Sequence, residues 1–197
     1  MDNTKEDDLA QTIMDQQLVE LIQLNLDNGE KNAKLVFNKI PLLFEEFEQT
    51  NFYTVESLKV STKANIRSEL MNNFPSNYFD DENTTDFSGM YVFYHDDIPF
   101  YVGISRKVLN RLNQHLKGKS HFNATLAHKL CRKLFPNEIN TRSEFHNSKS
   151  KEISQVQDFL SKCKLKIFPV VDPNELYLLE VYTSLELGST FNDFKTT

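Results

Sequence analysis

The sequence predicts a mixed α/β protein in which a helical N-terminal region precedes a domain of strands and helices. Apolar residues recur every three or four positions in the first 80 residues, which is the period of one helix face. Two β-prone runs then flank a polar turn near residue 96, and a third run alternates basic and apolar residues near residue 164. We therefore predict a helical accessory, recognition or dimerisation region over 1–80 and a second domain over 81–197.

Three helices are predicted in the N-terminal region. The first spans 4–28 and stops at an Asn-Gly pair, and the second runs over 31–47 with a break or kink at Pro41. The third spans 62–74, and the polar residues 76–88 after it are predicted to be a linker. None of these segments has a catalytic signature, so contacts with protein or dimerisation are the favoured interpretation.

The second domain begins with a predicted hairpin, formed by residues 90–94 and 100–104. The alternation over 162–167 predicts a half-buried strand with one basic face. Four helices are predicted around these strands, over residues 107–116, 123–134, 151–160 and 172–187.

The composition excludes several classes of protein. Hydrophobic residues make up 39% of the 197 positions and aromatic residues 12%, which is enough for a packed core and argues against a disordered scaffold. Two cysteines, Cys131 and Cys163, are too few for a disulfide framework or a paired-cysteine zinc site, and we expect both to be buried. The acidic, polar start is unlike a secretion signal and no apolar run is long enough to span a membrane. We therefore expect a cytoplasmic protein without a membrane partner.

Charge is distributed unevenly, although the formal net charge is only −6. Residues 1–100 have seven basic and nineteen acidic side chains, whereas residues 101–170 have fourteen basic and four acidic ones. A basic block of this size is typical of a protein that binds a polyanion such as nucleic acid. It could equally neutralise the acidic part of the same chain or of a second copy, and charge alone leaves both interpretations open.

Glu180, Arg111 and His115 are the first candidate functional residues. Glu180 lies in the apolar run of the last predicted helix, where a carboxylate loses water and needs a partner. An ion pair with a nearby Lys or Arg is one explanation, and a metal-binding or catalytic role is the other. Arg111 and His115 are four residues apart and share one helix face directly after the hairpin. Such a pair can bind phosphate or lie on the solvated surface.

These residues belong to an ordered set that spans positions 89–192. The set consists of Gly89-Met90-Tyr91, Tyr101-Val102-Gly103, Arg111, His115, Glu180 and Asn192. Each member falls in the expected element, and the set as a whole resembles the GIY-YIG nuclease family. Met90 and Val102 each replace an Ile of the family motif, and Gly188-Ser189 stand where Lys-Pro is common, but no residue that the chemistry needs is missing.

The resemblance implies a domain with a three-stranded antiparallel sheet flanked by helices. It also implies that this domain hydrolyses phosphodiester bonds in nucleic acid with a divalent ion, Mg²⁺ or Mn²⁺. It implies that Glu180 is the metal ligand, since Mg²⁺ accepts one carboxylate and fills its other positions with water and phosphate oxygens. The set contains a single acid, which disfavours a two-metal mechanism. Gly103 and Asn192 are implied as supporting residues, and Asn192 is expected to tie the end of the chain to the site.

The resemblance also implies roles for four further side chains. Tyr91 would be the general base, although a phenol with a reference pKa of about 10 needs nearby cations to act near neutral pH. Arg111 would hold the scissile phosphate, and Tyr101 would orient water or phosphate. His115 would assist by hydrogen bonding or by proton transfer.

The basic residues around these motifs are interpreted as a surface that follows the nucleic-acid backbone without reading its sequence. They are Arg106, Lys107, Lys117, Lys119, Lys129, Arg132, Lys133, Lys164 and Lys166. The segment 117–165 is longer than a minimal version of the fold needs, so it is the better candidate for substrate contact.

The leading hypothesis is an endonuclease with DNA as the expected substrate and a restriction- or defence-related role. A homodimer is expected if both strands are cut, and the acidic N-terminal region is expected to contact protein. One alternative is a nucleic-acid-binding or regulatory module that keeps the nuclease fold with little activity. The other is a nuclease directed at RNA.

Overall fold

The computed structural model describes residues 3–55, 57–58, 86–138 and 141–192. The predicted helix over 62–74 and most of the predicted linker lie outside these residues. In chain order the elements are α1 (Asn3–Glu48), β1 (Tyr53–Thr54), β2 (Gly89–His95), β3 (Ile98–Ser105), α2 (Val108–Lys117), α3 (Thr125–Leu134), α4 (Arg142–Ser148), α5 (Ser150–Lys162), β4 (Lys164–Pro169) and α6 (Pro173–Glu186).

The strands of the described residues form one antiparallel sheet in the order β1–β4–β2–β3. The predicted arrangement of three antiparallel strands is confirmed for β2, β3 and β4, and the two-residue β1 adds a fourth strand next to β4. A turn at Asp96 and Asp97 joins β2 to β3, with φ of 48° and 66°. Left-handed backbone at both central residues suits the right-handed twist of a hairpin, and Asp adopts it more readily than most residues.

The sheet separates two hydrophobic cores. Alternate residues of β2 point to opposite faces, so that Tyr91 and Phe93 join the core under α2 to α5, whereas Met90 and Val92 join the core under α1 and α6. Phe47 of α1 is fully buried in the second core. The domain is therefore a layer of helices on each face of one sheet.

The strand β4 is buried on both faces, so the predicted basic face is wrong. Leu165 and Ile167 lie in the core under α2 to α5. On the other face the Nζ of Lys166 donates a hydrogen bond of 2.6 Å to the Glu48 carbonyl oxygen at the end of α1. Because β4 lies between β1 and β2 and α1 packs over it, the lysine stem is covered and its charge meets the carbonyl end of a helix.

The helix α1 is continuous, whereas the sequence predicts two helices with an interruption after residue 28 and a break or kink at Pro41. Gly29 and Pro41 are both exposed, and the helix runs through them despite a cost of about 1 kcal/mol for Gly and about 3 kcal/mol for Pro relative to Ala. Ile40, Leu43 and Phe47 pack into the second core around Pro41. This tertiary packing outweighs the local preference.

The helices α2, α3, α5 and α6 confirm the four helices predicted in the second domain. The sequence analysis missed the short helix α4, although Thr141 and Glu144 form a capping box at its start. Asp172 caps α6, and Gly188 follows it with φ of 60°. Within the described part of the chain, no helix is long and apolar enough to cross a membrane. The division near residue 80 stays a prediction.

Candidate active site

The strands β2 and β3 bring the two motif tyrosines to one face of the sheet. Tyr91 pairs with Gly103 and Phe93 pairs with Tyr101. The ring centroids of Tyr91 and Tyr101 are 6.3 Å apart. A Cβ atom on Gly103 would lie 2.5 Å from Cζ of Tyr91 and 2.6 Å from its hydroxyl oxygen. Glycine is required here because the phenol crosses the space that any side chain would occupy.

The start of α2 is anchored by residues that precede β2. The amide of Val108 donates to the Phe87 carbonyl at 3.0 Å. The amides of Leu109 and Asn110 donate to the two carboxylate oxygens of Asp86 at 2.8 and 2.9 Å. These bonds satisfy three of the four N–H groups that a helix leaves unpaired at its start, and the negative carboxylate suits that end of the helix. Asp86 therefore helps to set the position of α2 against the hairpin.

His115 of α2 is fully buried beside Tyr91. Its Nε2 lies 2.8 Å from the Tyr91 hydroxyl oxygen, and its Nδ1 is buried without a hydrogen-bond partner among the described residues. Burial, and then the charge of Arg111, lower the pKa of His115 from 6.5 to about 3. The imidazole is consequently neutral near pH 7 and able to accept the hydrogen bond of the phenol.

Arg111 lies one turn before His115 and is held by two side chains. Its Nη1 donates to Oε1 of Gln114 at 3.1 Å, and its Nη2 donates to Oγ1 of Thr125 at 2.6 Å. These bonds use two of the five N–H groups of a guanidinium, whose plane they fix. A guanidinium fixed in this way is suited to phosphate recognition.

The pKa of each motif tyrosine is raised. Burial is the largest cause for both Tyr91 and Tyr101, and the nearby charge of Glu180 adds to it. Arg111 lowers both pKa values, but less than burial raises them. The expected cation is therefore present beside Tyr91, while the net direction of the pKa is opposite to the one expected from the sequence. Both phenols are neutral near pH 7.

Glu180 lies on α6 with its side chain half-buried. Among the residues that the structure describes, no side chain forms an ion pair or hydrogen bond with its carboxylate. The ion-pair explanation is therefore not realised within these residues. Burial raises the pKa of Glu180 from 4.5 to about 7. Its charge raises the pKa of both tyrosines, so the carboxylate lies near Tyr91 and Tyr101.

Asn192 connects the end of the described chain to β3. Its side-chain amide donates to the Val102 carbonyl at 2.8 Å, and its side-chain oxygen accepts from the Val102 amide at 2.7 Å. Ser189 also donates to that oxygen at 3.0 Å. Val102 lies between Tyr101 and Gly103, so these bonds hold the strand that carries both motif residues.

The nine basic residues predicted to contact nucleic acid lie in several elements of the fold. Lys164 forms an ion pair of 2.7 Å with Asp97 in the hairpin turn, and Lys166 is buried against α1. The other predicted contacts lie at the ends of α2 and on α3, and are partly or fully exposed. They are Arg106, Lys107, Lys117, Lys119, Lys129, Arg132 and Lys133.

Three residues that position the site were missed by the sequence analysis. Gln114 lies three residues after Arg111 on the same helix, and this spacing was a usable signal. Thr125 lies fourteen residues from Arg111 and reaches it only because α3 folds back beside α2. Asp86 fell in the segment interpreted as a linker, where an acidic residue has no local signature of a helix cap.

The sequence profile of the GIY-YIG catalytic domain matches residues 87–186. Among solved structures, the chain is similar to the GIY-YIG N-terminal endonuclease domain of UvrC from Thermotoga maritima, in a point mutant bound to its catalytic divalent cation. That similarity has 19% identity and a TM-score of 0.29, and it covers 54% of this chain and 82% of the other. No curated protein matches the sequence.

The profile match covers just over half of the chain. It includes the hairpin of β2 and β3, the strand β4, α2 and the whole of α6. These are the elements that carry Tyr91, Tyr101, Arg111, His115 and Glu180. The resemblance drawn from the ordered motif set is thus confirmed, and the chain belongs to the GIY-YIG family of nuclease domains.

Proposed function

We propose that the protein is a divalent-metal-dependent endonuclease that hydrolyses phosphodiester bonds in DNA. One observation carries the proposal: Tyr91 is hydrogen-bonded to His115 and lies near both the fixed guanidinium of Arg111 and the half-buried carboxylate of Glu180, which has no partner among the described residues. A metal ligand, a phosphate ligand and a proton acceptor are three groups that metal-dependent phosphodiester hydrolysis uses.

Glu180 fits a hard cation with few protein ligands. Its carboxylate is desolvated, and no other cation among the described residues neutralises it. Within those residues there is also no group of three or more His, Cys, Asp or Glu that could hold a metal ion. Mg²⁺ and Mn²⁺ suit such a site, because Mg²⁺ keeps several waters and combines one carboxylate with phosphate oxygens of the substrate. When bound, such an ion would act as a Lewis acid on the phosphate group.

Arg111 would bind the scissile phosphate and stabilise the charge that develops on it. Its bonds to Gln114 and Thr125 hold the guanidinium before substrate arrives, so little reorganisation is required during the reaction. Tyr101 lies within the same cluster and would orient the phosphate or the attacking water.

Tyr91 would accept the proton of the attacking water as a neutral phenol. In the tautomer with its proton on Nδ1, His115 would accept the phenol's hydrogen bond through Nε2, which leaves a lone pair on the Tyr91 oxygen for the water. As the water proton moves to Tyr91, the phenol's own proton passes to Nε2 of His115, and no free phenolate is required. Negative charge on the bound phosphate favours this transfer, because a nearby anion raises the pKa of an imidazole.

The experiment compares wild-type protein, Glu180→Gln and the control Glu186→Gln, an exposed glutamate on the same helix. Each is incubated with supercoiled DNA, single-stranded DNA and structured RNA, with Mg²⁺, Mn²⁺ or EDTA. We expect cleavage of DNA by wild type and Glu186→Gln only when a divalent ion is present, and none by Glu180→Gln.

Other outcomes of this experiment select the alternatives. Binding without cleavage of any substrate would favour the regulatory module, and cleavage of RNA alone would favour the RNA-directed nuclease. Equal cleavage by wild type and Glu180→Gln would show that Glu180 is not the metal ligand.

We also propose that cutting both strands requires two copies of the chain, since the described residues form one such site. Exposed apolar side chains on α1 and α6, the helices that cover one face of the sheet, support this proposal, because exposed apolar patches mark protein contacts. They include Leu35 and Leu42 of α1 and Tyr177 and Leu185 of α6. Sedimentation equilibrium of wild type and Leu42→Lys/Tyr177→Lys tests it, with a dimer expected only for wild type. The defence-related role and the cytoplasmic location stay predictions from the sequence.

A further inference from the structure

An open groove of about 700 Å³ lies between α3 and α4, and we call it the α3–α4 groove. Its basic lining residues are Lys129, Arg132, Lys133 and Arg142. Among the described residues one acid, Glu138, also lines it, and that carboxylate lies 3.0 Å from Nζ of Lys149. Basic side chains therefore outnumber acidic ones in the described lining of the groove.

The two arginines of the groove contact an aromatic ring and backbone carbonyls. The Arg132 guanidinium lies 4.3 Å from the Phe145 ring centroid, and its Nη1 donates to the Glu138 carbonyl at 2.8 Å. Arg142 donates from Nη2 to the His121 carbonyl at 2.9 Å. An aromatic ring and backbone carbonyls orient a guanidinium, and an oriented guanidinium is suited to binding a phosphate.

The pKa of His128 reports the same excess of positive charge. Its Nε2 lies 3.3 Å from the Arg142 carbonyl oxygen, and it lines the groove. Burial lowers the pKa of His128 most, and the charges of Arg142, Arg132 and His146 lower it further against the effect of the carbonyl bond. No acid is among the groups that shift this pKa.

Thr125 joins the groove to the candidate active site. Its hydroxyl accepts the hydrogen bond from Arg111, and the same residue lines the groove. From Thr125 to Arg132 the helix rises by about 10 Å, which corresponds to about three nucleotide steps along one strand of B-form DNA. A strand that runs along α3 with its scissile phosphate on Arg111 would therefore reach the level of Arg132 in the groove about three nucleotides away.

We propose that the α3–α4 groove binds the phosphodiester backbone of the substrate strand about three nucleotides from the scissile phosphate. This inference rests on the proposed function for its distance from the cut, whereas the binding of a phosphodiester backbone can be measured without cleavage. Arg142 and Thr125 are residues of this subsite that the charge pattern of the sequence did not single out.

The test measures binding of a labelled duplex by anisotropy over a range of salt concentrations, with Glu180→Gln as the background so that the DNA stays intact. In that background, Lys129→Gln/Arg142→Gln should reduce the slope of log K against log salt by about 0.9 for each phosphate that the variant no longer neutralises. Lys129→Arg/Arg142→Lys keeps both charges and should retain the slope. A control that removes one positive charge elsewhere is Lys31→Gln, at an exposed residue of α1, which packs on the opposite face of the sheet. It should leave the slope unchanged.

An unchanged slope in the folded Gln double variant would overturn the proposal. The His128 C–H resonance gives a second readout: added duplex should raise the pKa of His128, because a bound phosphate offsets the nearby positive charges. No change of this pKa at saturating DNA would also contradict the groove as the binding site.

The experiments distinguish an error in the groove proposal from an error in the proposed nuclease function. If wild type does not cut with divalent ions but the double variant loses salt dependence, the groove binds nucleic acid and the proposed enzyme is wrong. If wild type cuts and the double variant binds with the same slope as its background, the nuclease stands and the groove is not a backbone site. If wild type cuts, the position of the cut in the duplex can be mapped. Duplexes that end at different distances beyond the cut on the groove side can then be compared. Binding should weaken when fewer than about three nucleotides remain on the groove side.

Discussion

The two faces of the sheet differ in how they treat buried polar groups. Under α1 and α6, the buried Lys166 has its ammonium bonded to a helix carbonyl beside a cluster of apolar side chains. The neutral hydroxyl of Thr183 on α6 is buried without a partner among the described residues. On the α2 to α5 side, His115 has a buried nitrogen without a partner among the described residues. The half-buried Glu180 of α6, whose charge acts on Tyr91 and Tyr101, also has none. A buried polar group without a partner costs stability, so the second arrangement is expected where a substrate or ion supplies the missing contact.

The largest effect is expected from Arg111→Lys. A lysine keeps the charge but loses the planar fork that Gln114 and Thr125 hold, so cleavage should slow by about 10²–10³-fold, as when one preorganised donor is removed. Single-turnover rates with saturating DNA measure it. A thermal unfolding midpoint close to that of wild type is the control, and a rate within a few fold of wild type would contradict the role of Arg111.

Gly103→Ala should destabilise the protein and move the Tyr91 ring, whereas Gly29→Ala should do neither. The new Cβ at position 103 would overlap the Tyr91 ring, and overpacking of this kind costs about 1–3 kcal/mol and moves the phenol. Nothing lies within 4 Å of the corresponding atom at Gly29, where alanine in a helix should stabilise by about 1 kcal/mol. Urea unfolding of both variants measures the difference, and equal free energies of unfolding would refute the close contact of Tyr91 with Gly103.

Glu180→Gln should change how stability depends on pH. The folded state raises the pKa of Glu180 from 4.5 to about 7, so it binds the proton more tightly than the unfolded state does. This contribution is complete below about pH 4.5 and is lost as the pH rises through about 7. Without divalent ions, the free energy of unfolding of Glu180→Gln should therefore rise relative to that of wild type as the pH increases from 4.5 to 8. The expected rise is about 1–2 kcal/mol after allowance for solvent screening.

Denaturant unfolding at several pH values measures this difference. Mg²⁺ at pH 8 should stabilise wild type and leave Glu180→Gln unaffected. If the free energies of unfolding of the two proteins changed equally with pH, this would contradict the burial of an unpaired carboxylate.

Asp86→Ala should have the smallest effect of the four. Loss of a helix-capping carboxylate costs about 0.5–2 kcal/mol, and the amides of Leu109 and Asn110 should exchange faster with solvent. Hydrogen exchange measures this residue by residue. Asp97→Asn is the matched control, because Asp97 is an exposed turn residue with φ of 66° that asparagine adopts readily, and its effect should stay within about 0.5 kcal/mol. Equal protection of the α2 amides in both variants would remove Asp86 from the positioning of α2.

Local patterns predicted most of the elements that carry the site. The hairpin, α2 and α6 follow from residue periods of two and of 3.6 and from a proline and glycine at the right helix positions. The spacing of Arg111 and His115 placed them on one face of α2. The same reasoning failed for α1, where packing of Phe47 and its neighbours carries a helix through Pro41, and for Lys166, because an alternating pattern does not show whether a second layer covers the strand.

The sequence by itself determined the family, the hairpin that brings Tyr91 against Gly103 and the helix face shared by Arg111 and His115, since all of these depend on neighbours in the chain or on an ordered motif. Tertiary structure decided which polar groups are paired. Thr125 reaches Arg111, Asp86 caps a helix 22 residues away, and Glu180 has no partner among the described residues, because each depends on where separate elements pack. Burial then raises the pKa of Glu180 and lowers that of His115, since desolvation depends on the surrounding fold and not on the neighbouring sequence.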